Sequence, residues 1–185
     1  MAFRNDVPVY KAIILDRDGV INVDSPHYVR TLDAWHPIDG SLEAIAALSV
    51  AGFRVAVASN QSGVGRCHLR LSELHRMHER LTSSVAKLGG QIDAIHFCPH
   101  LPSTLCTCRK PRPGLLHRAS VSMRVPLAQC LFVGDSDGDE GAARQAGCRF
   151  IRIGVSEPGN PGPTGMKLSY PDLRALTNDL LENQP

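Results

Sequence analysis

The chain has 185 residues, 43% hydrophobic and 21% charged, a composition typical of a folded globular domain and not of a disordered or fibrous segment. Its net charge of +2 comes from 20 basic and 18 acidic side chains with no block of like sign, which argues against nucleic acid or an anionic membrane as partner. No apolar run approaches the ~18 residues of a membrane span, and the opening MAFRNDVPVYKAIILD places acids where a secretory leader needs its apolar stretch, so a single domain over 1–185 in the cytoplasm is expected.

Short apolar, β-branched or aromatic runs predict strands at 10–16 (YKAIILD), 53–59 (FRVAVAS), 94–98 (AIHFC), 130–135 (CLFVGD) and 149–154 (RFIRIG). Between them lie segments with helical spacing. The first, 41–52, has Ser41 as a candidate N-cap and stops near Gly52; the second, 71–90, has Ser72 as a candidate cap and a Gly-Gly stop. Shorter helices are expected at 113–123 and 139–147, and a last one at 172–183. The Pro/Gly-rich stretch 156–165 reads as a surface loop.

Strand alternating with helix predicts a three-layer α/β architecture, a parallel sheet with helices on both faces. In such sheets ligands sit beyond the carboxyl ends of the strands. Those ends carry Asp16 with Asp18, Ser59 with Asn60, Cys98, and Asp135 with Asp139. Two acids one residue apart repel unless a cation lies between them, and Mg²⁺, held by one or two carboxylates, its own waters and a substrate phosphate, suits that arrangement. Gly19 would let backbone N–H groups approach phosphate oxygens closely. The competing reading is that these are turn acids after strands, where Asp and Gly are common.

The motifs DRDGVIN, SNQSG, RKPRPG and VGDSDGDEGAA stand in the order of the four motifs of the haloacid dehalogenase (HAD) superfamily, and the chain resembles that superfamily over residues 10–155. More narrowly, LDRDGVIN followed by CPHLPSTLCTCRKPRPG is similar to the D-glycero-D-manno-heptose-1,7-bisphosphate 7-phosphatase family, whose relative is the histidinol-phosphate phosphatase domain. The resemblance implies a HAD-like, Rossmann-like fold and a Mg²⁺-dependent phosphatase acting on a small phosphorylated sugar. Asp16 would be the nucleophile, Asp18 the acid and base, and Ser59 and Lys110 would hold the transferred phosphoryl group. Asp16, Asp135 and the backbone carbonyl of Asp18 would hold Mg²⁺, with Asp139 orienting water or Lys110.

The same resemblance places Asp24, Tyr28 and Arg109 at the substrate, along with Asn60, Gln61 and Ser62 of SNQSG. Arg66 or Arg109 would meet the phosphate that stays on a bisphosphate. No segment is long enough for a large cap domain, so the loop 23–30 and the cysteine-rich loop would wall an open crevice. One departure stands out: Ser136 occupies a position where the heptose family commonly has lysine.

Cys98, His100, Cys106 and Cys108 form C-x-H followed by C-x-C, three thiolates and an imidazole suited to structural Zn²⁺ in a closed tetrahedral set. A Cys106–Cys108 disulfide would close a ring of poor geometry. The alternative leaves Cys98 as a buried thiol and His100 exposed. Since Arg109 and Lys110 follow the last ligand directly, a zinc-stiffened loop would aim both at the substrate. Cys67, Cys130 and Cys148 read as small apolar residues in or near strands and turns, and His68, His75, His78 and His117 as solvated. A non-catalytic binding protein on the same fold would have no chemical need for Asp16, Asp18, Ser59, Lys110 and Asp135 together. A monomer is the expected state.

Overall fold

The computed structural model describes residues 10–154 and 168–182. Six strands form one sheet: β1 (Ala12–Leu15), β2 (Arg54–Asn60), β3 (Ala94–Cys98), β4 (Cys130–Gly134), β5 (Arg149–Ile153) and β6 (Ser169–Tyr170). Their order across the sheet is β3-β2-β1-β4-β5-β6, and every neighbouring pair is parallel. The helices are α1 (Ser41–Val50), α2 (Ser62–Gly65), α3 (Leu71–Lys87), α4 (Gly114–Met123), α5 (Asp137–Ala146) and α6 (Leu173–Glu182).

The side-chain period of two on each strand splits the interior into two cores. Ile13 and Leu15 of β1 face one core with Val55, Val57, Leu131 and Val133, covered by α1, α3 and α6. Ala12 and Ile14 face the other with Ala56, Ala58 and Phe132, covered by α4 and α5. The alanines on this second face let α4 lie close across β1, β2 and β3. Phe132 fills the space they leave and is fully buried, so its truncation to Ala would cost about 3–5 kcal/mol.

Each of the five expected strands forms, with ends shifted by no more than two residues. β6 and α2 were not expected: two and four residues are too short to show a period. The expected caps are also corrected. Gly40, at φ 77°, occupies the N-cap of α1, while the Ser41 hydroxyl donates to the Ile21 carbonyl at 2.6 Å. Arg70 precedes α3 in extended conformation, with Ser72 inside the first turn. α5 starts two residues early because Ser136 and Asp139 form a capping box at its N-terminus. The stretch 156–165 lies outside the described residues. Among those described, no helix is long and apolar enough to cross a membrane.

Order reverses at β1, which pairs with β2 on one side and β4 on the other. A crevice opens at such a switch point beyond the strand ends.

Candidate active site and metal centres

Where β1 ends, the Asp16 N–H still donates to the Val133 carbonyl at 2.8 Å, so this residue is tied to β4 before the chain turns. The turn closes through Gly19 N–H to the Asn22 carbonyl at 2.8 Å and through the Ile21 and Asn22 N–H groups, both to the Arg17 carbonyl. Gly19 has φ +78°, and a Cβ there would collide with the carboxylate of Asp135. Glycine is therefore required twice, by the turn and by the close approach of the acid that follows β4.

Carboxylate oxygens of Asp16, Asp135 and Asp139 lie within 4.8 Å of one another. The ammonium of Lys110 joins them, 2.8 Å from Asp16 and 2.6 Å from Asp139, and also donates to the Ala58 carbonyl at 2.9 Å. The Phe132 ring lies beneath it, 5.4 Å away. Asn60 holds the lysine's backbone from both sides: its amide donates to the Lys110 carbonyl and its carbonyl accepts the Lys110 N–H, each at 3.1 Å. Burial opposes charge on Lys110, but Asp16 and Asp139 outweigh it and raise the pKa.

Three acids around one ammonium leave negative charge in excess. Burial pushes the Asp16 carboxyl up to about 7, with Lys110 pulling it down and Asp139 adding to the rise. Asp135 is raised too, by burial and then by Asp139. A hard divalent cation between Asp16 and Asp135 removes this conflict, so the donor set fits Mg²⁺. Asp139 is already occupied. It is fully buried, paired with Lys110, and accepts from the Ser136 hydroxyl at 2.5 Å and the Ser136 N–H at 3.1 Å.

Asp18 has different partners. Its Oδ1 accepts from Arg17 Nη2 at 2.7 Å, Arg17 Nε at 3.2 Å and Asn22 Nδ2 at 2.9 Å. Its Oδ2 accepts from Arg17 Nη2 at 3.0 Å and Gln61 Nε2 at 2.8 Å, and the Gln61 amide also donates to the Ser59 hydroxyl at 2.6 Å. Arg17 has no assigned role in the sequence reading. It is 1% exposed, reaching back to Met77 of α3 at 3.9 Å. The signal available was a lone arginine between two acids, but only the fold shows that it turns inward.

These groups open onto a cavity of about 310 Å³. It is lined by Asp16, Arg17, Asp18, Lys110, Asp135 and Ser136, by Asp24, Ser25, Tyr28 and Val29 of the loop after β1, and by Asn60 and Gln61 at the end of β2. Tyr28 has φ +64°, and its ring lies 5.7 Å from that of His68. Gly19, Ser59, Ser62, Arg66, Arg109 and Asp139 do not line the cavity. Ser59 is buried behind Gln61, Ser62 opens α2, and Arg66 is exposed at its C-terminus. Arg109 is half-buried, with Nη1 shielded from solvent and unpartnered.

The second centre gathers Cys98 at the end of β3 with His100, Cys106 and Cys108. Their ligand atoms lie within 4.8 Å of one another, with sulfur–sulfur distances of 3.3, 3.5 and 3.6 Å and His100 Nδ1 3.3–3.4 Å from Cys108 and Cys98. Tetrahedral Zn²⁺ with bonds of about 2.3 Å to sulfur sets thiolates about 3.8 Å apart, so the cluster is already near the size of a zinc site. A Zn²⁺ held by all four donors would have no open position. The thiols of Cys106 and Cys108 are free at 3.5 Å, not bridged. Arg112 clasps the loop by donating to the Cys106 carbonyl at 2.8 Å.

Two expectations about other side chains are corrected. His78 is not solvated: it is half-buried beside Phe97, with ring centroids 5.7 Å apart. Burial, followed by the charge of Arg17, lowers its pKa to about 4. Cys67 is exposed with φ +57°, unlike the buried Cys130 and Cys148.

A HAD-hydrolase-like family model matches residues 107–160. The D-glycero-β-D-manno-heptose-1,7-bisphosphate 7-phosphatase of Pseudomonas aeruginosa is 48% identical over 174 residues, 92% of this chain and 97% of that protein. The crystal structure of D,D-heptose 1,7-bisphosphate phosphatase from B. bronchiseptica, complexed with magnesium and phosphate, superposes with a TM-score of 0.84 at 38% identity, covering 94% of this chain and 99% of the other. The corresponding structure from Burkholderia thailandensis gives 0.66 at 33% identity, covering 94% and 99%. By this likeness over nearly its full length, the chain belongs to the heptose-1,7-bisphosphate 7-phosphatase family of HAD-like hydrolases.

Proposed function

We propose that the protein is a Mg²⁺-dependent phosphatase that removes the 7-phosphate of D-glycero-D-manno-heptose 1,7-bisphosphate through an aspartyl-phosphate on Asp16. The observation that carries this is the meeting of Asp16, Lys110 and Asp135 at the C-terminal ends of β1 and β4, in the lining of one cavity. The family's named activity supports the substrate.

Asp16 Oδ1 accepts the Arg17 N–H at 2.7 Å and pairs with Lys110, while no donor among the described residues reaches Oδ2. An Asp16 oxygen forms the new bond to phosphorus as the bond from phosphorus to the sugar oxygen breaks. Asp18 gives that oxygen its proton, then takes one from the water that hydrolyses the acyl phosphate. Because Gln61 donates to the Ser59 oxygen, the Ser59 hydroxyl keeps its own proton to give, and it would meet a phosphoryl oxygen once the Gln61 amide that covers it moves aside. Lys110 neutralises charge spreading over the transferred group. Asp16 and Asp135, with the Asp18 carbonyl, would hold Mg²⁺, which when bound neutralises phosphate charge. Asp139 keeps Lys110 in place, and Zn²⁺ in the cysteine loop is structural.

Asp24 and Tyr28 line the cavity where the sugar would rest, and Arg109, outside that lining with Nη1 unpartnered, would meet the phosphate that stays only by turning toward it. The same reading takes residues 1–185 as one catalytic domain acting as a cytoplasmic monomer, supported by the free thiols of a reducing compartment. Phosphate release from heptose 1,7-bisphosphate, histidinol phosphate and simple sugar phosphates, with and without Mg²⁺, tests the substrate. The heptose should be turned over fastest and only with the metal; equal rates on all three would reject the assignment.

A further inference from the structure

Among the groups the mechanism leaves unused, Arg17 has the most specific geometry. We infer that Arg17 is a positioning residue, whose guanidinium fixes the place of the Asp18 carboxylate against helix α3. This rests on the role of Asp18 as proton donor proposed above.

Three observations converge on it. Arg17 is 1% exposed, and an arginine is rarely buried without a partner that uses its planar fork. The fork meets both Asp18 oxygens, Nη2 reaching Oδ1 at 2.7 Å and Oδ2 at 3.0 Å, with Nε at 3.2 Å from Oδ1. Its far edge rests on Met77, a fully buried residue of α3.

Adjacent residues on one turn rarely pair so closely by chance of spacing, since neighbouring side chains on an extended chain diverge. Here the turn after β1 folds Arg17 under Asp18. Asn22 and Gln61 complete the set of donors, so the carboxylate cannot rotate without breaking several charge-assisted hydrogen bonds. A proton donor must stand within hydrogen-bond reach of the leaving oxygen, and a donor that swings is a poor one. The step itself is unchanged: the Asp16–phosphorus bond forms, the phosphorus–oxygen bond to the alcohol breaks, and the alcohol oxygen takes the Asp18 proton.

The test is kcat/KM of the full-length Mg²⁺-loaded enzyme on a series of substituted phenyl phosphates plus one primary alkyl phosphate, for the natural protein and for Arg17→Met and Arg17→Lys. This parameter covers the chain of steps up to phosphoryl transfer to Asp16. Leaving groups that depart readily as anions need no proton, whereas basic ones do. If Arg17 positions Asp18, Arg17→Met should lose at least about tenfold more kcat/KM on the most basic leaving group than on p-nitrophenyl phosphate, steepening the dependence on leaving-group basicity. Arg17→Lys keeps the charge without the fork and should steepen it less; it also supplies the reading if Arg17→Met does not fold. A uniform loss across the series in both variants, or no loss, overturns the inference while leaving the phosphatase reading intact. No phosphate release by the natural protein from any ester overturns both.

Discussion

Asp135 occupies the space that a side chain at position 19 would fill, so the carboxylate after β4 and the turn after β1 are fitted to one another through the absence of a single Cβ. Gly19→Ala must either push Asp135 aside or deform a turn that needs φ +78°. Displacement of Asp135 should raise the Mg²⁺ concentration for half-maximal activity at least about tenfold, and the left-handed backbone adds about 1–2 kcal/mol of destabilisation. Phosphate release titrated with Mg²⁺ measures the first effect and denaturant unfolding the second. An Ala variant with the Mg²⁺ dependence of the natural protein contradicts the fit.

Asp16→Asn retains the shape of the side chain and removes the nucleophile. Turnover should fall by at least about a thousandfold with little change in the unfolding midpoint, because the substitution also relieves repulsion with Asp139. Phosphate release near the natural rate would reject Asp16 as the attacking group.

Lys110→Met should behave differently. It also ends turnover, but it strands the fully buried Asp139 without its ammonium partner. Breaking a buried pair from one side costs about 3–5 kcal/mol, so this variant should unfold at clearly lower denaturant than Asp16→Asn. Equal stability of the two variants would mean that the Lys110–Asp139 pair contributes little.

Removing zinc should lower activity at a distance. Cys108 and Lys110 are separated by Arg109 alone, and the Asn60 clamp on the Lys110 backbone depends on the loop holding its course. Chelation followed by resupply of Mg²⁺ should leave phosphate release reduced, and added Zn²⁺ should restore it. Unchanged release after verified zinc loss would detach the loop from the catalytic lysine.

His78 makes stability depend on pH. Its folded pKa, about 4, lies below the ordinary value of 6.5, so the folded chain prefers it neutral while the unfolded chain binds the proton first. Its contribution is complete above pH 6.5 and is lost as pH falls from there through about 4, by at most about 3 kcal/mol. A His78→Phe variant should show a flatter decline in that window by urea unfolding, and an identical decline would assign the pH dependence to other groups.

Much of this protein is determined by the order of its residues alone. Alternating apolar runs and helical spacings specify a parallel α/β sheet because buried strands and amphipathic helices have different periods, and β1 to β5 lie where those periods place them. The C-x-H and C-x-C spacings name four metal-ligand residues because a tight loop keeps them close. What local pattern cannot express is which distant side chains share a space. The inward turn of Arg17 onto Met77, the pairing of Lys110 with both Asp16 and Asp139, and the burial of His78 against Phe97 all arise from contacts between elements far apart in the chain. Ser41 shows the same limit, since it had the composition of a helix cap and was taken instead by the Ile21 carbonyl of the neighbouring turn. Packing in three dimensions decides such cases, because a polar group bonds to whatever burial brings within reach.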